Sequence, residues 1–199
     1  MTDTLLAIAI GYLLGSCPFG YWAGRLKGVD LRTQGSGNTG GTNAIRVLGP
    51  RIGVPALILD IAKGVGAVLI ASRLGGTGTE VLAAAAAMLG HTCSIFLGFR
   101  GGGKAVATGA GAMLALAPEV TLPVAVVWVA VSLLTRYISV ASMVSAVVLL
   151  AGVIATDQPW PVIAFALFGA AVVIWRHRSN IARLRAGTEN RLNLRGARP

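Results

Sequence analysis

Apolar stretches separated by short polar, glycine-rich or basic segments follow one another from residue 4 to about residue 175. A membrane helix needs about 20 mostly apolar residues. That ruler divides the chain into seven stretches: 4–24, 54–74, 81–99, 105–117, 121–134, 140–155 and 161–175. The fourth and fifth are short and lie either side of Pro118. Proline predicts a break there, because it removes a backbone donor and clashes with the preceding turn. Fusing the two gives a six-span alternative. Either way the expected fold is an all-α polytopic membrane protein.

Charge decides between seven spans and six. With seven and the amino terminus outside, the inner segments receive Arg25, Lys27, Arg32, Arg46, Arg51, Arg100, Lys104 and Arg136. They also receive the tail residues Arg176, Arg178, Arg183, Arg185, Arg191, Arg195 and Arg198, and only Arg73 falls outside. Lys and Arg concentrate on the cytoplasmic side of membrane proteins, and an even span count would break this separation. The carboxyl terminus is therefore expected in the cytoplasm.

Composition agrees: 55% of the 199 residues are hydrophobic and 12% charged, whereas soluble domains carry about a quarter charged residues. A formal charge of +10 on a soluble surface would point to nucleic acid. Here the basic residues lie between apolar runs, so they mark sidedness and no nucleic-acid partner is expected. Cys17 and Cys93 sit in apolar stretches without metal-ligand spacing and read as small packing residues. The first run lacks a basic leader region and a small-residue cleavage site, so it reads as a retained helix. With no internal repeat, 1–199 reads as one membrane domain, with a polar tail from about 186 to 199 expected to fray.

Three inner segments carry the chemistry. The first runs from Gly35 to Gly49 and includes Ser36, Gly37, Asn38, Thr42, Asn43 and Arg46. Glycines let backbone N–H groups converge as a nest, hydroxyls and amides add donors, and an arginine grips phosphate as a fork. Gly35, Gly37 and Gly40 formally make G-x-G-x-x-G, but no strand precedes them, so a dinucleotide site is rejected. The second segment holds Arg100, Gly101, Gly102, Gly103, Lys104 and Thr108. It resembles a broken P-loop in which Ala105 replaces the magnesium-holding hydroxyl; what survives is a lysine and glycine donors at a helix start, a setting that favours phosphate. In the third, helical spacing places Arg176, Asn180, Arg183 and Gly187 on one stripe, with His177 beside Asn180 and Glu189 beyond.

Two further groups stand out. Asp60 and Lys63 lie three residues apart inside the second apolar stretch, where ionisable groups are costly unless paired, and read as a structural ion pair. Arg136, Ser139 and Ser142 occupy the inner turn between the fifth and sixth stretches and are candidates for the same pocket. No serine or cysteine has an evident His and acid partner. With only His91 and His177 present, neither a metal cluster nor a cofactor is expected, and neither histidine begins an H-x-x-x-x-D pattern.

Together these segments resemble the bacterial membrane acyltransferases that use acyl phosphate as donor and glycerol 3-phosphate as acceptor. The resemblance covers nearly the whole chain, through Leu14–Gly20, Lys27–Arg32, the Gly35–Gly49 segment, Leu59–Gly64, Gly90–His91, Arg136–Ser142 and Arg176–Leu184. The chain departs from the family at Gly101–Thr108, one residue longer than the usual Gly-Gly-Lys-Gly-Val-Ala-Thr, at Ser94, where proline is usual, and at Gly41, which replaces an alanine. The resemblance implies seven helices in the bacterial inner membrane and a site at the cytoplasmic face. It makes Ser36, Arg46, Lys104, His177 and Asn180 the catalytic candidates. Substrate-binding candidates are Gly37, Asn38, Thr42, Asn43, Gly101, Gly102, Gly103, Thr108, Arg136, Ser139, Ser142 and Glu189. The implied reaction is direct attack of the 1-hydroxyl on an activated mixed anhydride, with His177 or a substrate phosphate oxygen as base. A transporter or flippase for a phosphorylated metabolite is the alternative, but it would put charges and helix breaks at the bilayer midplane in matching halves, and here they cluster at one face.

Overall fold

The computed structural model describes residues 1–192. Among them every regular element is helical: α1 (Thr2–Ser16), α2 (Phe19–Leu26), α3 (Gly41–Leu48), α4 (Pro50–Ala71), α5 (Thr77–Thr92), α6 (Val106–Leu116), α7 (Pro118–Thr135), α8 (Ile138–Ala155), α9 (Trp160–Arg176) and α10 (Arg178–Arg185). A short 3₁₀ turn at Ile95–Leu97 extends α5. Five segments are long and apolar enough to cross a membrane: Thr2–Leu26, α4, Thr77–Leu97, α7 and α8. A sixth is α9 taken with α10, across a bend of 51°. Helix α6, with 11 residues, is only about 16 Å long.

Small residues, alanine above all, dominate the interior, and many large ones face outward. Ala83, Ala84, Ala87, Ala112 and Ala117 are fully buried, while Leu5, Leu13, Ile58, Leu69, Leu122, Val126, Leu133 and Leu167 are exposed. This inverts the soluble pattern, as expected where the outer surface meets hydrocarbon and helices associate by close approach. Gly15 of α1 lies so near α5 that a Cβ would strike the Ala87 backbone, and Gly64 of α4 meets the Thr108 carbonyl of α6 in the same way.

Four local features differ from the sequence expectation. The first apolar run is not one helix: Pro18 ends α1 at Ser16, and α2 begins at Phe19. The first inner segment is loop only to Gly40, where α3 starts. Pro118 does mark a break, and it sits where proline is best tolerated, in the first turn of α7. The last apolar run and the basic segment are two helices, not one, so the stripe through Arg176, Asn180, Arg183 and Gly187 is interrupted at His177. Residues 186–192, assigned above to a polar tail, are tied to the body by Glu189 and by the Leu192 N–H, which donates to the Arg136 carbonyl at 2.7 Å. Arg195 and Arg198 lie outside the described residues.

Ala105 precedes α6 with φ +59°, buried and in the left-handed region. A side chain there costs roughly 1–2 kcal/mol that glycine avoids, which accounts physically for glycine in the related pattern after the lysine. Ala105→Gly is expected to stabilise the protein by about 1 kcal/mol, read as a rise of a few degrees in thermal unfolding in detergent; a fall in Tm would show that the conformation carries no strain.

Candidate active site

The three sequence segments converge at one end of the helix bundle. A cavity of ≈ 360 Å³ is walled there by Ser36, Asn38, Thr42, Asn43, Arg46, Lys104, Ser139, Ser142, His177, Asn180 and Glu189. These residues come from the loop before α3, α3 itself, the start of α6, the start of α8, and the α9–α10 bend with the segment after it. From this polar end the cavity runs between α6, α7, α8 and α9, past Met88, Gly109, Met113, Trp128, Leu149, Phe165 and Gly169. Contributions recur at helical spacing (Ser139, Ser142, Ser145 and Leu149 on α8; Phe165, Gly169 and Val173 on α9), so each helix offers one face.

Asn43 organises the first loop. It is buried, and its amide donates to the carbonyls of Leu31, Gln34 and Asn38 at 3.3, 3.0 and 2.8 Å. Its Oδ1 accepts from the Ser36 N–H at 2.9 Å and from Arg46 at 3.3 Å. One side chain thereby folds the loop so that Ser36 and Arg46 face the cavity. Asn38 turns the chain by accepting from the Gly40 N–H at 2.8 Å.

At the opposite wall Lys104 donates to Asn180 Oδ1 at 2.6 Å. Asn180 in turn donates to Glu189 Oε1 at 2.6 Å, which also accepts from Ser139 at 2.9 Å. Arg183 holds Oε2 at 2.8 Å. Burial pushes the Lys104 ammonium down to about 8; Glu189 opposes this, while Arg183, Arg46 and Arg176 add to it. Burial works to raise the Glu189 carboxyl, but the hydrogen bonds from Asn180, Arg183 and Ser139 outweigh it and hold it below its ordinary value. His177 is buried, and its Nδ1 lies 2.7 Å from the Val173 carbonyl. A carbonyl only accepts, so Nδ1 carries the proton and Nε2 keeps its lone pair.

The remaining candidates sit elsewhere. Gly37, Gly101, Gly102, Gly103, Thr108 and Arg136 are not part of the cavity wall. The glycine run makes close approaches to its neighbours: Gly103 N–H donates to the His91 carbonyl, and the Gly102 and Gly103 carbonyls accept from Arg176 at 3.2 Å each. Helix α6 begins two residues after Lys104, and Val106 and Ala107 of its first turn, where N–H groups lack intrahelical partners, line the wall instead. Arg136 caps α7 in the left-handed region, exposed and bonded to the Leu192 carbonyl.

Asp60 and Lys63 form the expected ion pair, at 2.8 Å and almost wholly buried. The pair also includes His91, at 2.8 Å from Lys63, and Asp60 and His91 both reach the cavity wall. The sequence reading gave His91 no role, although an ionisable residue within an apolar stretch is the signal that would have marked it. Among the described residues no three His, Cys, Asp or Glu side chains are grouped to hold a metal ion.

A cationic pocket opening into an apolar bore, inside a bundle of membrane-length helices, suits a ligand with an anionic head and a hydrocarbon tail. The chain belongs to the glycerol-3-phosphate acyltransferase family, whose model it matches over residues 5–187. It is 49% identical over 193 residues to the glycerol-3-phosphate acyltransferase of Synechococcus sp. (strain JA-2-3B'a(2-13)), covering 96% of each chain. It is 48% identical over 192 residues to glycerol-3-phosphate acyltransferase 2 of Moorella thermoacetica, covering 96% of this chain and 98% of that one. The crystal structure of PlsY, an integral membrane glycerol 3-phosphate acyltransferase, superposes with a TM-score of 0.92 in its glycerol 3-phosphate form, at 40% identity and 96% coverage of both chains. Its lysophosphatidic acid form superposes with a TM-score of 0.88 at 39% identity and 94% coverage.

Proposed function

We propose that this enzyme transfers a fatty acyl group from an acyl phosphate to the 1-hydroxyl of glycerol 3-phosphate, giving 1-acyl-glycerol 3-phosphate and inorganic phosphate. The observation that carries the reading is the continuity of the cavity, from Arg46 and Lys104 at its polar end to Phe165 and Leu149 in its apolar depth. Both substrates are anionic, and the acyl chain of donor and product needs an apolar berth.

In this reading Arg46 and Lys104 hold phosphate, with Ser36 and the α6 N-terminal amides as donors to phosphate or to the carbonyl oxygen. The hydroxyl oxygen bonds to the carbonyl carbon, the bond from that carbon to the bridging oxygen breaks, and phosphate leaves with the bond pair. The hydroxyl proton goes to Nε2 of His177, left free by the Nδ1 bond to Val173, or to a phosphate oxygen of the donor. A mixed anhydride is already activated, so catalysis is positioning and charge stabilisation, without an acyl-enzyme.

We further propose one membrane domain of seven spans, with α6 as the fourth, the amino terminus outside and the site at the cytoplasmic face of the bacterial inner membrane. Support comes from the convergence of the inner segments. Ser36, Lys104, Ser139 and His177 share one cavity wall, so an even number of crossings separates each from the next. Between Lys104 and Ser139 that requires α6 and α7 together to go in and return.

The test uses purified protein with palmitoyl phosphate and radiolabelled glycerol 3-phosphate, without ATP, coenzyme A or acyl carrier protein. Label is expected in the lipid phase as 1-acyl-glycerol 3-phosphate. Product from palmitoyl coenzyme A alone would overturn the donor assignment; none from either donor with folded protein would favour transport.

A further inference from the structure

Lys63 occupies an unusual position. Its ammonium is buried between helices, hydrogen-bonded at 2.8 Å to the Cys17 carbonyl at the α1–α2 break and at 2.8 Å to Nδ1 of His91 on α5, and ion-paired at 2.8 Å with Asp60 Oδ1 on its own helix. An ammonium has N–H donors and no acceptor, so toward His91 it can only donate. Pro18 supplies no N–H, and the ammonium reaches the carbonyl just before it.

The arrangement fixes the state of His91. A proton on Nδ1 would point at the ammonium from 2.8 Å, so Nδ1 is the acceptor and the imidazole proton resides on Nε2. His91 is 7% exposed, and among the described residues its Nε2 has no hydrogen-bond partner. Nε2 lies between the two anion segments: a Cβ on Gly103 would fall onto it, and one on Gly40 would come within 3.9 Å. His91 and Gly40 both wall the cavity beside Ser36 and Lys104. The histidines thus have opposite polarity at Nε2, a lone pair on His177 and an N–H on His91.

We propose that His91 is a substrate-binding residue whose Nε2–H donates to an oxygen of the phosphate held between the first loop and the glycine loop, with Lys63 and Asp60 as the positioning pair that locks this tautomer. The assignment rests on the proposed reaction for its substrates. That phosphate belongs either to glycerol 3-phosphate or to the acyl phosphate.

His91→Phe, which keeps a flat ring and removes the donor, is expected to raise KM for one of the two substrates roughly tenfold, the loss of one charge-assisted hydrogen bond. The substrate whose KM rises identifies the phosphate. His91→Gln, which returns an N–H near the Nε2 position, is expected to recover most of the loss. Unchanged KM values for both substrates in His91→Phe would overturn the assignment. The second measurement needs no variant to fold: ¹⁵N-histidine NMR of the native protein, simplified because the chain has only two histidines. One histidine is expected to show a bare Nδ1 and a protonated Nε2, with the Nε2–H resonance moving on addition of glycerol 3-phosphate or inorganic phosphate. A protonated Nδ1 on both rings, or an Nε2–H that stays still at saturating concentrations of both, overturns it. NMR movement without acyl transfer would leave phosphate binding at His91 standing while the proposed reaction fails.

Discussion

Lys104→Met lowers kcat/KM for glycerol 3-phosphate by about 10³, of the order seen when a buried donor to a developing or bound anion is removed, and steady-state assays check it. The ammonium stands at the junction of the glycine loop and α6, bonded to Asn180 at 2.6 Å, with Arg46 across the same cavity. Methionine matches its length and apolar stem, so the loss reports charge and hydrogen bonding rather than packing. The pH profile gives a second readout. Burial brings the group down to about 8 in the free protein, and only its charged form pairs with a phosphate dianion. The kcat/KM profile should therefore fall as pH rises above about 8, approaching tenfold per unit, while the limb in kcat lies higher because bound phosphate favours the charged form. Lys104→Arg keeps its charge throughout this range and should lose the alkaline limb, at a lower absolute rate because the planar fork does not reproduce the ammonium geometry. A limb that persists unchanged in Lys104→Arg would assign it to another group.

Much of this site was legible from residue types. Convergent glycines, amides and Arg46 between apolar runs announce an anion, and positive-inside counting placed all three segments on one side, where they meet around one cavity. Side-chain direction and local chain breaks were not legible. The glycine run suggested amides turned to an anion; the Gly103 N–H goes to the His91 carbonyl and the Gly102 and Gly103 carbonyls to Arg176, because glycine there also lets α5 and the loop touch. Arg136 and Ser139 are three residues apart in the chain. The first turns outward to cap α7 while the second lines the cavity, a divergence set by a left-handed φ that no composition reveals. Asp60 and Lys63 were readable as a pair by helical spacing, but the third member, His91, comes from another helix, and contact across helices has no local sequence period. The bend at His177 was hidden because the basic residues after it keep good helix propensity; there the stripe breaks and Asn180 is delivered to Lys104 rather than aligned under Arg176.

Glu189 is the clearest case of a residue acting through others, and Glu189→Ala is expected to lower kcat/KM by about 10², with a loss of about 2–3 kcal/mol in stability, the cost of stranding partly buried donors. Its side chain is 5% exposed and anchors three donors: Ser139 from α8, Asn180 and Arg183 from α10. Without it Arg183 has no counter-charge, and Asn180 is free to rotate its oxygen away from Lys104. The defect should thus appear as a raised KM for glycerol 3-phosphate accompanied by a lowered Tm. Glu189→Gln separates charge from geometry. Its amide oxygen can still accept from Asn180 and Ser139, so activity should stay within about tenfold of native, while the Arg183 pair and its pH dependence disappear. The sign of that dependence follows from the depressed carboxyl. Its stabilisation is complete above the ordinary glutamate range and is lost as pH falls through the lower folded value, so native protein should lose Tm on acidification below about pH 4.5 by a component absent in Glu189→Gln. Equal acid sensitivity in the two proteins would place the destabilising protonation elsewhere, and Glu189→Ala with native KM would remove Glu189 from the chain of contacts that orients Lys104.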